Sequence, residues 1–309
     1  MLQLIAIVGP TASGKSDLAE KLALQLGSFV LSADAMQVYK GMDIGTAKTP
    51  VSKRLAPLYG VDIVSPDQEF SASQYQSYAR PIIDAALEKS VTPVLCGGTG
   101  LYIDAVLDDM VFPAGNQSQN IAREKYEEYL NVHGVDELYN HLKMLDEASA
   151  QLIHPNNTRR VIRALEMYET GISYAEQSKN LHEHIPYYSA KIFCLHMDRS
   201  ILYERINNRV DRMFEHGLVE EVQSLLSSYL NKSITAHQAI GYKEIISYLN
   251  GDISLQEAKE LIKQSSRRYA KRQLSWFRRD KRLIWIDSYK NSLDDQLEII
   301  NTHCFKDVN

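Results

Sequence analysis

A chain of 309 residues with 44% hydrophobic content can bury a substantial core and falls between one large domain and two small ones. Its formal net charge of -5 excludes a globally basic nucleic-acid binder, so any basic surface has to be local. Three cysteines, Cys96, Cys194 and Cys304, are far apart, odd in number and without metal-ligand spacing, which argues against a disulfide framework or a zinc site. The apolar run from Leu4 to Val8 is too short for a signal segment, and no stretch reaches the roughly 20 apolar residues that span a bilayer. The expectation is a cytoplasmic enzyme with no membrane association and no obligate protein partner.

Residues 2–8 read as a strand, followed by a glycine-rich turn and an amphipathic helix over 17–26. A second strand over 29–32 ends at Ala33-Asp34. Residues 71–89 read as a helix, with Ser71 or Ser73 available as its cap. A strand over 92–96 is closed by Gly97-Gly98-Thr99-Gly100, and a further helix follows. This alternation predicts an α/β fold: a parallel-sheet core with helices on both faces. Past Pro113 the run 114–120 is polar and loop-like, and 121–180 is helical in pattern with no strand candidate. Strands return at 190–197 and 283–286. The expected organisation is a core from 1–113 and 188–309, carrying an all-helical insertion domain at 114–187.

The stretch from Ser254 to Arg279 reads as one long helix, opened by a Ser254–Glu257 capping box. Helical geometry puts Arg267, Arg268, Lys271, Arg272, Arg278 and Arg279 within an arc of roughly 140°. Tyr269, Gln273, Leu274, Trp276 and Phe277 take the other side. A charge run is usually a solvated face. A second cluster, Arg159, Arg160 and Arg163, tips the reading toward a phosphate backbone.

Gly9, Pro10, Thr11, Ala12, Ser13, Gly14, Lys15 and Ser16 match the phosphate-loop pattern G-x-x-x-x-G-K-[ST], with a strand before and a helix after. The two glycines let the backbone curl so that successive N–H groups point inward, the helix N-terminus adds partial positive charge, Lys15 adds a full one, and Ser16 can bind Mg²⁺. Such a loop calls for a diphosphate rather than ATP in particular. Enzymes that cleave nucleoside triphosphates usually add an Asp at the end of a nearby strand, whereas 92–96 ends in Cys96-Gly97-Gly98. Asp34 belongs on the same rim, because ligands of parallel sheets sit outside the carboxyl ends of the strands. A carboxylate there can orient Mg²⁺, bind a hydroxyl, accept a proton, or simply cap a turn. On the residues alone, a small-metabolite kinase and a nucleotide-switched RNA-binding protein also remain open.

GPTASGKS (9–16), SADAMQVYKGMDIGTAK (32–48) and GGTGLY (97–102) together resemble the tRNA dimethylallyltransferase (isopentenyltransferase) family. The likeness continues through HPNNTRRVIRALE (154–166), ERINNRVDRMFEHGLVEEV (204–222), QAIGYKE (238–244) and KRQLSWFRRD (271–280), and covers nearly the whole chain in its shorter, bacterial form. The resemblance implies that Gly9 to Ser16 bind dimethylallyl diphosphate with Mg²⁺, and that Asp34 is the catalytic acid–base group. It implies diphosphate-binding roles for Thr99 and Arg209 beside Lys15. It carries tRNA contact to Asp34, Ala35, Met36 and Gln37, to Thr99 and Arg123, and to Arg159, Arg160, Val161, Ile162 and Arg163. It carries the same role to Gln238, Ala239, Ile240, Gly241, Tyr242 and Lys243, and the basic stripe Arg267, Arg268, Lys271 and Arg272 joins these as the RNA-facing surface. The implied partner is the anticodon stem-loop, and the implied target is the adenosine just 3′ of the anticodon in tRNAs reading codons that start with U.

Overall fold

The structure, a computed structural model, describes residues 4–112, 121–180, 184–230 and 235–305; the polar run 114–120 lies outside these. The chain divides into two compact units, one made of 1–108 with 186–309 and the other of 109–185.

The larger unit is built on six strands: β1 (Leu4–Val8), β2 (Val30–Ala33), β3 (Leu58–Tyr59), β4 (Val94–Gly97), β5 (Ala190–His196) and β6 (Leu283–Asp287). Their order is β3-β2-β4-β1-β5-β6, and every pairing is parallel. β1 is fully buried and shows why. Leu4, Ala6 and Val8 enter one core cluster while Ile5 and Ile7 enter another, so both faces of the sheet are covered. The second face packs on α1 (Lys15–Gln25) and α12 (Leu293–Phe305), through Leu18, Leu22, Leu297 and Ile300. The first packs on α2 (Ala72–Leu87), α3 (Gly100–Leu107), and helices from the C-terminal half of the chain.

Local signals in the sequence account for several helix starts. Ser71 caps α2 in a full capping box with Gln74. β3 differs: with two residues it is too short to give a periodic signal, and only its pairing with β2 reveals it.

The unit 109–185 contains only helices among its described residues: α4 (Ile121–Leu145), α5 (Glu147–Leu152), α6 (Thr158–Glu169) and α7 (Tyr174–Asn180). α4 is two helices run together, broken at Gly134, where φ is 82° and ψ 179°. Its core is Tyr126, Leu138, Leu142, Val161 and Leu165. After β5 the larger unit continues with α8 (Arg199–Glu215), α9 (Leu218–Ser228), α10 (Tyr242–Leu249) and α11 (Leu255–Phe277). Ser254 caps α11 with Glu257 in the expected box.

Candidate active site

The three central strands β2, β4 and β1 lie side by side and end in register, with Ala33 and Val8 both opposite Gly97. Each is followed by a loop at the same rim: Asp34 onward after β2, Gly98-Thr99 after β4, and the phosphate loop after β1. This is where parallel sheets place ligands. A cavity of about 420 Å³ opens here, lined entirely by residues of the larger unit.

The phosphate loop is shaped by backbone that ordinary residues resist. Gly9 has φ 148° and a Cβ there would sit 2.8 Å from the Leu195 carbonyl; Gly14 has φ 90°. Even Ala12 is left-handed, at φ 64°. Ser13 is 1% exposed and its hydroxyl has no hydrogen-bond partner among the described residues, the kind of orphan a bound anion would satisfy. Lys15 Nζ donates to the Pro10 carbonyl at 3.1 Å, and burial lowers its pKa below the ordinary lysine value.

Arg209, on α8 after β5, reaches the same cavity. Its guanidinium donates to Thr11 Oγ1 at 2.9 Å and to the Thr46 carbonyl at 3.4 Å, and burial lowers its pKa too. Neither Lys15 nor Arg209 has a carboxylate within ion-pair distance among the described residues. Two half-buried cations without ion-pair partners, beside a loop of inward amides, are the arrangement that suits an anion.

Asp34 lines the cavity and also caps a turn, since its Oδ1 accepts from the Met36 amide at 2.9 Å. The turn cap uses one carboxylate oxygen, and the other stays unengaged among the described residues. Thr99 ties the two loops together: its amide donates to the Ala33 carbonyl and its hydroxyl accepts from the Ala35 amide at 3.0 Å. Gln37 lines the cavity as well, held by Ser32 and by the Thr46 carbonyl. Ile206, Val210, Met213, Ile240 and Ile262 give the cavity apolar lining beside the charged groups.

Sequence profiles and relatives agree on what this architecture is. The profile described as "IPP transferase" matches residues 37–280, and one described as "Isopentenyl transferase" matches 2–61. A protein named tRNA dimethylallyltransferase from Thermoanaerobacter sp. (strain X514) is 48% identical over 296 residues, covering 94% of each chain. A protein of the same name from Carboxydothermus hydrogenoformans is 47% identical over 308 residues, covering 97% of this chain and 96% of its own. Among solved structures, the tRNA isopentenylpyrophosphate transferase of Staphylococcus epidermidis is 39% identical with a TM-score of 0.73, over 99% of this chain and all of that one. A eukaryotic dimethylallyltransferase described as acting on tRNA is 26% identical with a TM-score of 0.80, covering 98% of this chain and 79% of that one.

The chain belongs to the IPP transferase family.

In this family member the segments read as RNA-contacting divide by burial. Within 159–163, Arg159 and Arg160 are exposed on α6, whereas Val161 and Ile162 are in the core of the helical unit and cannot present side chains to RNA. Arg163 and Arg123 both approach the buried Glu166, at 3.2 and 3.6 Å. Within 238–243, Gln238, Ala239 and Ile240 line the cavity and Lys243 is exposed. Tyr242 is fully buried, so its side chain is structural rather than RNA-facing. Its hydroxyl meets Glu221, whose carboxylate also accepts the amides of Asp43, Ile44 and Gly45 and so moors the loop that carries Thr46.

The single basic stripe of α11 also divides. Arg268, Lys271, Arg278 and Arg279 are exposed. Arg267 instead donates to Asn207 Oδ1 at 2.6 Å, and Arg272, exposed as well, also lines the cavity. The cause is position along the helix, since α11 packs on α8 and then reaches the sheet rim. Tyr269 and Gln273, placed by helical geometry on the face away from the arginines, line the cavity too. Burial pushes the Tyr269 phenol up to about 12, with Asp34 nearby adding to the shift, so it stays a protonated donor. Neither residue stood out in the sequence, because a Tyr or Gln on an amphipathic helix carries no local signature.

Proposed function

We propose that this chain transfers a dimethylallyl group from dimethylallyl diphosphate to the exocyclic amine of the adenosine just 3′ of the anticodon, in tRNAs that read codons beginning with U. One observation carries this reading: Lys15 and Arg209, without ion-pair partners among the described residues, the acid Asp34 and apolar side chains all line one cavity. An allylic diphosphate needs that combination, and the names borne by relatives across the chain's length support it.

The amine lone pair of adenine is delocalised into the ring, so its proton becomes acidic only as the new N–C bond forms. The Asp34 carboxylate takes that proton. The allylic C–O bond breaks and its electron pair leaves on the diphosphate, whose charge grows. Lys15, Arg209, Thr99 and the loop amides bind this charge better as it grows, each such donor being worth about 2.7–4 kcal/mol. The apolar lining holds the five-carbon group and excludes water from an allylic centre with cationic character. Mg²⁺ suits the site, since the exposed Ser16 hydroxyl lines the same cavity and this hard cation prefers oxygen donors shared with substrate phosphates. Its role when bound is to offset diphosphate charge. Arg268 and Lys271, with Arg159 and Arg160, are among the exposed cations suited to the anticodon arm, and the target base has to leave its stack to reach a cavity.

The test is an incubation of the protein with dimethylallyl diphosphate, Mg²⁺ and unmodified tRNA, read by mass. Gain of one dimethylallyl group on that adenosine, with release of diphosphate, is the expected result. Stoichiometric ADP from added ATP and a phosphorylated small acceptor would instead favour a kinase.

A further inference from the structure

Helix α11 sends one buried polar side chain into the rim of the sheet. Gln273 is 5% exposed. Its Oε1 accepts from the Thr11 amide at 2.9 Å, and its Nε2 donates to the Gly98 carbonyl at 2.9 Å. The orientation of the amide follows from chemistry, because the Thr11 N–H only donates and the Gly98 carbonyl only accepts. Glutamine suits both partners at once, whereas a carboxylate lacks the donor and a thioether lacks both functions.

The glycines of the GGTG string meet the same helix. A Cβ on Gly98 would lie 2.2 Å from Gln273 Nε2, and one on Gly100 would lie 2.2 Å from the Trp276 ring. Neither glycine has a left-handed backbone. Their small size, not their conformational freedom, is what the position needs, and what it admits is α11. Trp276 completes the fit by donating from Nε1 to Asp104 Oδ2 at 2.9 Å.

We infer that Gln273 is a positioning residue of the diphosphate site, bridging the phosphate loop to the Gly97–Gly100 turn and thereby fixing Thr11 where its hydroxyl holds Arg209. The inference rests on the reading of 9–16 as a diphosphate loop. Gln273 pins the Thr11 amide, the Thr11 hydroxyl accepts from Arg209 at 2.9 Å, and Arg209 lines the cavity. Without the bridge the loop keeps its glycines and its lysine but loses the register between its N-terminal turn and the arginine.

The experiment measures equilibrium binding of inorganic diphosphate with Mg²⁺ to the full chain, alongside Tm and tRNA affinity. Gln273→Met should weaken diphosphate binding roughly tenfold, the usual cost of unpaired buried groups, with tRNA affinity unchanged. Gln273→Glu should be worse than Met at about pH 8 and should recover, relative to wild type, as pH falls toward about 5. A protonated acid again offers one donor and one acceptor, and burial raises its pKa above the ordinary ~4.3. Gly98→Ala, which displaces the amide, should reproduce the Met phenotype and add little to it in the double variant. Gln273→Met binding diphosphate as wild type does, or Gln273→Glu showing no recovery in acid, overturns the inference. Wild-type protein that binds no diphosphate overturns the phosphate-loop reading itself, and this inference with it.

Discussion

The phosphate loop and helix α11 meet at one cavity, yet they are specified in different ways. The loop is a backbone device. Its shape depends on Gly9 and Gly14 at positive φ and on the start of α1, all within eight consecutive residues. Helix α11 is a side-chain device, and its residues acquire roles only from what each meets: Arg267 finds Asn207, Gln273 finds the loop, Arg272 finds the cavity, and Arg268 and Lys271 find solvent. Local geometry can be read from a string. A partner far along the chain cannot.

The largest effect expected separates the cavity from everything else. Lys15→Ala and Arg209→Ala should each lower the transfer rate by about 10²–10³ and weaken diphosphate binding, since their partner is charged in ground and transition states alike. Single-turnover kinetics at saturating tRNA reads the first, and diphosphate titration the second. Either variant leaving both quantities intact would remove that residue from the anion site.

A smaller effect splits α11 itself. Arg268→Ala and Lys271→Ala should weaken tRNA binding and flatten its slope against log salt by about one unit per lost phosphate contact, with the saturated rate near wild type. Arg272→Ala should lower the saturated rate, because that residue faces the cavity. Were all three to behave alike, α11 would be a uniform basic surface after all.

The smallest effect concerns stability, and its sign is opposite to intuition. Burial lowers the Lys15 pKa in the folded chain, so between that value and the ordinary lysine value the unfolded chain binds more protons. Folding stability contributed by Lys15 therefore rises as pH climbs through that window, and at neutral pH the buried charge is a cost. Lys15→Met should raise the Tm of the ligand-free protein while abolishing the gain from added diphosphate. A lowered Tm would show that the ammonium is stabilised by contacts other than ligand.

Much of the architecture was legible because its signals are short-range. The strands of the central sheet alternate or run apolar, Ser71 and Ser254 announce their helices, and the loop after β1 matches a specific spacing of glycines and lysine. Asp34 was legible as a rim residue because β2 ends just before it. What stayed hidden was tertiary. Val161, Ile162 and Tyr242 sit inside segments that resemble RNA contacts, and only packing shows them buried. Glu221 and Gln273 join elements more than 170 residues apart in sequence, and no local pattern marks either as a bridge.

The most direct test of the proposed chemistry is the single-turnover rate of Asp34→Asn at saturating tRNA and dimethylallyl diphosphate, taken with its tRNA affinity. Asparagine keeps an oxygen to cap the Met36 turn but cannot take the proton from the attacking amine. With Asp34 as the base, the rate should fall by about 10² or more while tRNA affinity stays near wild type. A near-normal rate in this variant would mean that the amine loses its proton elsewhere, and that Asp34 is a turn cap and nothing more.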